Sequence, residues 1–259
     1  ETGLSYVNNH ILYKVLTPKG AKDLSVIKFD YDPMSAFVEI KKAVIYRKNG
    51  EIENIDLNQV YDYPAPARMI YWGARKKMIK VGRLEPGDAV EIFMFRKGFT
   101  YALLYENDDD KYIPPMKGHF YDIVHFWNDH PVLEKYYETN IPSDKTVNYK
   151  FYNGKPDSVI EKSGNKAKYA FTLRNMLPYK KEPGMVALSD VAPKLLISTS
   201  PDWEAKSTWF YGVNEDYGSF KSTPEIDKKV KEILAGAENE MDSISILNPL
   251  STRGHLPRF

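Results

Sequence analysis

Gly118 to Pro142 reads GHFYDIVHFWNDHPVLEKYYETNIP, and this stretch decides the fold class. Apolar and aromatic residues fill both parities around a polar break, Asn128-Asp129-His130-Pro131. Successive side chains of a strand point to opposite faces, so His119, Tyr121, Ile123, His125 and Trp127 share one face. Phe120, Val124 and Phe126 share the other. A strand apolar on both faces is either buried on both, or half buried with an aromatic patch outside. Pro131 cannot donate to a ladder and belongs at the start of the next strand, from Val132 to Thr139. The stretch reads as a joint between two β-rich halves, with a lobe boundary near residue 143.

On the N-terminal side, residues 5–16 read as a strand ending in a turn at Thr17-Pro18-Lys19-Gly20. Leu24–Asp30 follows. Ala36–Arg47 alternates clearly and runs into Asn49-Gly50, a strong hairpin signal, with Glu51–Asp56 returning. Residues 57–68 read as loop, Met69–Trp72 as a short strand, and Lys77–Val81 as another. Glu85-Pro86-Gly87-Asp88 fits a type II turn. It leads to Ala89–Arg96, apolar on both parities and therefore central, and then to Phe99–Glu106. On the C-terminal side, Thr146–Tyr152, Ser158–Glu161, Lys168–Arg174 and Lys194–Thr199 complete the strands. Short strands at regular spacing with turn signals between them specify a mainly β chain, a large antiparallel sandwich that could comprise two packed lobes.

The pattern changes at Thr223-Pro224-Glu225: a capping residue, proline at the first helical position, then an acid. Ile226, Val230, Ile233 and Leu234 form one apolar helix stripe. A second helical run spans Glu238–Leu247 and stops at Asn248-Pro249. Residues 1–222 therefore read as a β region and 223–259 as a helical segment.

Composition narrows the function. Hydrophobic residues at 42% and charged residues at 27% describe a globular chain. Thirty-six basic against 35 acidic residues leave a net charge of +1, which gives no electrostatic reason to bind nucleic acid. The absence of cysteine removes disulfides, thiolate nucleophiles and cysteine-ligated zinc. No apolar run reaches the roughly 18–20 residues that span a bilayer. The chain begins Glu1-Thr2-Gly3 without an initiator Met or a signal peptide, and reads as a processed or cloned piece.

Several groups of residues carry possible chemistry. His119, His125 and Asp129 share one parity, with Asp122 and His130 on the other. His119 and His125 lie roughly 20 Å apart along a strand, however, too far to share one ion. Asn107–Asp110 is oxygen-rich but lacks the spacing of a calcium loop and reads as a solvated tip. No Gly-x-Ser-x-Gly or glycine-rich phosphate loop is present. No metal or cofactor is implied. What remains is a set of aromatics in loops: Tyr61, Tyr63, Tyr71 and Trp72 in one region, Trp203, Trp209 and Tyr211 in another. Tyr71, Trp72, Trp203 and Trp209 are the candidate binding surface, for a glycan or a peptide. The plainer alternative is that the tryptophans plug the sandwich ends.

Taken in order, certain residues resemble a known family. These are Tyr31-Asp32-Pro33, Val38-x-Ile40 through Asn49-Gly50, Leu84-x-Pro86-Gly87-Asp88-x-Val90-Glu91, and His130-Pro131-Val132 through Tyr137 to Ile141-Pro142. Tyr169, Phe171, Glu182-Pro183 and Trp203 continue the likeness, over about residues 5–215. Together they resemble the β domain of unknown function that precedes transglutaminase-like, cysteine-protease-like domains in exported bacterial proteins. The helices at 224–247 resemble the opening of that catalytic domain. The resemblance implies a periplasmic or cell-surface protein whose partner is its own downstream catalytic domain, with a Cys-His-Asp triad. This chain has no cysteine, so no catalytic residue carries over. The expected role is a non-catalytic accessory domain. A stand-alone carbohydrate- or peptide-binding module and a cysteine-independent hydrolase remain as alternatives.

Overall fold

Alternating strands build two β-sandwiches in succession. The structure is a computed structural model, and residues 4–65, 73–99, 116–180 and 182–252 are described. The first sandwich contains β1 (Leu4–Lys14), α1 (Pro18–Asp23), β2 (Val26–Tyr31), β3 (Ala36–Tyr46), β4 (Ile52–Asn54), β5 (Tyr61–Pro64), β6 (Arg75–Lys80) and β7 (Ala89–Phe99). One sheet has the order β1-β7-β3-β4 and the other β2-β6-β5. All their pairings are antiparallel. The alternation of β3 sends Val38 and Ile40 inward, and central β7 contributes Val90 and Ile92, both fully buried. Ile27 and Ile79 close the same core from the other sheet.

The second sandwich contains β8 (Tyr121–His125), β9 (Val132–Pro142), β10 (Asn148–Tyr152), β11 (Asp157–Ser163), β12 (Lys166–Met176), the short α2 (Leu188–Val191) and β13 (Lys194–Ser198). Its sheets have the orders β10-β13-β8 and β11-β12-β9. Val124, Phe126, Phe171, Leu195 and Ile197 meet in a core of their own.

The opening stretch thus supplies one edge strand, β8 or β9, to each sheet of the second sandwich, and does not join two halves. The chain's two cores draw on strands up to Phe99 and from Tyr121 respectively, whereas a boundary was read near 143. The double-sided apolarity of residues 119–127 has a local cause. Val124 and Phe126 face the core, while His125 is buried and Tyr121, Ile123 and Trp127 are half buried.

Turn chemistry behaves as the residues dictate. Gly50 turns the β3–β4 hairpin at φ 90°, and Gly87 takes φ 103° in the Glu85–Asp88 turn. Three readings change. Thr17-Pro18-Lys19-Gly20 opens helix α1, with Thr17 as its cap accepting from the Gly20 N–H. Tyr61 and Tyr63 sit on strand β5, paired with β6. Residues 203–216 form helix α3 (Trp203–Asp216) where loop was expected. The expected strand at 69–72 lies outside the described residues, as does the one read at Phe99–Glu106 beyond Phe99, which instead closes β7.

The chain divides after Trp203 into two compact units. Because α3 is helical, this division precedes the 222/223 boundary read from the sequence. The second unit holds α3, α4 (Pro224–Ile233) and α5 (Glu240–Thr252). Thr223 caps α4, Pro224 follows, and Glu225 and Asp227 occupy the first turn. α5 continues through Asn248-Pro249, where a stop was expected. Among the described residues of this unit no side chain is fully buried.

Candidate functional site

Of the four aromatics expected to bind, Tyr71 and Trp72 lie outside the described residues. Trp203 opens α3 and is 83% exposed. Trp209 is half buried, with its ring 6.4 Å from Phe210. Six residues on a helix turn through about 600°, so the two tryptophans face different directions and form no shared platform.

The histidines do not converge either. His119 Nδ1 donates to the Thr199 carbonyl at 2.9 Å. The His125 ring packs edge-on against Trp127 at 5.5 Å. His130 lies at the surface, 3.0 Å from Asp129. Among the described residues no three His, Asp or Glu side chains gather as metal ligands. Thr199 Oγ1 lies 3.4 Å from His119 but is engaged by the Phe120 backbone N–H at 2.8 Å. That hydroxyl is held in structure and not presented to a substrate. Asn107–Asp110 falls outside the described residues.

Three carboxylates organise the polar chemistry, and one more anchors a turn. Glu91 points outward from central β7. Lys42 and His10 bind its two oxygens at 2.8 Å each, and the Tyr46 hydroxyl donates to it as well. The Lys42 bond first, then Tyr46 and His10, bring its pKa from 4.5 down to about 2. Asp62 on β5 receives Tyr31 at 2.6 Å, Arg75 at 2.7 Å and Lys77 at 2.9 Å. Burial raises its pKa, but these donors outweigh it and hold the group at about 2.

Asp122 behaves in the opposite way. It sits on β8, where Tyr137 of β9 donates to it at 2.9 Å. Desolvation raises its pKa despite Tyr137, the Ile123 N–H and the charges of Lys135 and Arg96. Lys135, two residues before Tyr137 on the same inward face of β9, donates to the His125 carbonyl. Burial lowers its pKa, with Asp122 opposing. Two hydrogen bonds thus cross from β9 to β8, Tyr137 to Asp122 and Lys135 to the His125 carbonyl. Arg96 is carried by β7, so Asp122 also feels the first sandwich.

Asp88 is 2% exposed. Its carboxylate accepts from Glu85 N at 2.9 Å, Lys48 N at 3.0 Å and Arg47 Nη1 at 3.0 Å. Arg47 in turn grips Glu53 with two nitrogens. Burial pushes the Asp88 pKa up, and these donors bring it below the usual value. The proline-glycine-aspartate turn is therefore a structural staple. A shallow depression of about 240 Å³ lies between the sheets of the first sandwich, lined by Glu53, Asn54, Asp56, Gln59 and Lys80 with Ile55 and Val60.

No curated protein matches. A crystal structure from Parabacteroides distasonis, described as a "putative protease", superposes with a TM-score of 0.73 at 15% identity. The match covers 96% of this chain and 46% of that one, so the chain spans about half the length of its neighbour. At that identity the likeness speaks for the fold alone. The family model of a domain of unknown function with a solved structure, DUF3857, matches residues 1–180. By that match the chain belongs to the DUF3857 family.

Proposed function

We propose that this chain is a non-catalytic accessory β region of an exported bacterial protein, working beside a transglutaminase-like catalytic domain that follows it. The observation that carries the reading is the alignment of nearly the whole chain with less than half of a protease-like structure. Two further observations support it. The sequence has no cysteine, so thiolate chemistry must come from other residues. Helix α4 presents Ile226 and Val230 on an exposed stripe, and a short helix gains most of its stability from packing such a face. On this reading residues 223–259 open the catalytic domain, and residues 1–222 hold or present it. The protein acts in the periplasm or at the cell surface.

The coding region beyond residue 259 tests this directly. An in-frame domain with a cysteine, followed by histidine and aspartate, is expected. A stop codon there, or a downstream domain without a thiol, overturns the proposal. Cell fractionation of the longer product checks the compartment, with periplasmic or surface material expected.

A further inference from the structure

The solvent face of the β1-β7-β3 sheet has more aromatic character than a solvated face requires. Val90 and Ile92 of β7 point into the core, so Glu91, Phe93, Phe95 and Lys97 point outward. Antiparallel sheets with one wet face usually alternate apolar-in with polar-out. Here the centre of the wet face carries two phenylalanines. Tyr6 flanks Phe95 with ring centroids 6.4 Å apart, and His10 flanks Phe93 at 6.1 Å. Tyr6 is 66% exposed, and Phe37, at the same end on β3, is 57% exposed.

The lysines of this face are placed by a backbone irregularity. Ile40 pairs with Met94 and Lys42 with Phe93, so Lys41 is an extra residue in β3. A bulge of this kind re-aims side chains. Lys42 turns to Glu91, and Lys41 Nζ sits 4.5 Å over the Phe95 ring. Lys97 Nζ lies 5.6 Å over Tyr6. Lys41 and Lys97 have no ion-pair partner among the described residues. The central acid, Glu91, is saturated by Lys42, Tyr46 and His10. Glu39, opposite Phe95, is the other acid of the face.

We infer that this face is a binding platform for an acidic polysaccharide, a chain of uronic acid units. Sugar C–H faces stack on the open rings of Tyr6 and Phe37, and carboxylates exchange with the rings for Lys41 and Lys97. A flat sheet suits a linear polymer, whereas a small molecule needs a concave site. Nucleic acid affinity rests on neutralising many phosphates, and two available lysines on a chain of net charge +1 do not supply that. An acidic peptide would also meet the lysines, but exposed rings spread along a flat face suit the repeating C–H faces of a sugar chain better, and poly-L-glutamate tests the alternative. The inference does not depend on what domain follows the chain.

Affinity electrophoresis of the full chain tests it, in gels containing polygalacturonate, neutral dextran or poly-L-glutamate, with oligo-dT binding measured beside them. Retardation by polygalacturonate alone is expected, weakening as salt rises. Tyr6→Ala with Phe37→Ala should weaken binding about tenfold or more. Lys41→Gln and Lys97→Gln should reduce both binding and its salt dependence. These side chains are at the surface, and unchanged melting temperatures confirm that the variants fold. No retardation in polygalacturonate overturns the inference, as does retardation that all four substitutions leave unchanged. Equal or tighter binding to poly-L-glutamate or oligo-dT overturns the ligand class.

Discussion

At the scale of single residues, the carboxylates separate into those that stabilise and those that cost. Asp88 accepts three hydrogen bonds in a buried turn. Asp88→Ala leaves two backbone donors and Arg47 without their acceptor, and should cost about 3 kcal/mol, measured by urea unfolding. Glu91 gives a pH signature. Its folded pKa is about 2 against an ordinary 4.5. A depressed carboxylate contributes stability above its unfolded pKa and loses it as pH falls toward the folded one. The stability lost in Glu91→Gln should therefore be full at pH 7 and shrink between pH 4.5 and about 2. Asp122 runs the other way, because burial raises its pKa. Its charged form is penalised in the folded state, so its contribution to stability falls as pH rises through its folded pKa. Asp122→Asn keeps an acceptor for Tyr137 and removes the charge. It should be neutral or mildly stabilising at pH 7, with that advantage fading in acid. A loss at pH 7 comparable to that of Asp88→Ala would show that the Asp122 charge is needed by Lys135 and Arg96.

At the scale of elements, strands were legible wherever one face met a core. Val38, Ile40, Val90 and Ile92 announce β3 and β7 because alternation is enforced by burial. Asn49-Gly50 and Pro86-Gly87 announce their turns because they supply the positive φ that those turns need. Helix α3 was not legible. Trp203, Trp209, Phe210 and Tyr211 favour strands intrinsically, and no buried stripe marks the helical period. Helix α1 was hidden because Gly20 within four residues of Pro18 looks like a turn. The polar bridge from β9 to β8 was missed for another reason: Lys135 and Asp122 come from different sheets, and no spacing within one strand reveals that. Gly98, near the end of β7, gives an element-scale prediction. A Cβ there would lie 2.5 Å from the Ser35 carbonyl oxygen and 2.9 Å from Ala36. Gly98→Ala must push β3 from β7 and should destabilise the first sandwich by about 1–3 kcal/mol, read from its denaturation midpoint.

At the scale of the whole chain, the contrast is between strands that surround cores and helices that do not. Each sandwich buries its own set of large side chains. Amide exchange follows such burial, with core strands opening only at high free energy and exposed segments opening almost freely. The described part of the helical unit buries no side chain fully, and Ile226, Val230, Met241 and Ile244 are all exposed. Capping by Thr223 and the first-turn acids Glu225 and Asp227 favour α4 locally. Yet a ten-residue helix is marginal in water without tertiary contacts. Residues 224–247 should therefore exchange much faster than β3, β7, β12 and β13 in this chain. A longer chain carrying the proposed catalytic domain should slow them to the rate of the strands. Fast exchange in both would deny that the stripe packs on a following domain. Strand-like protection in the chain alone would mean that the helices already find their partner within these residues.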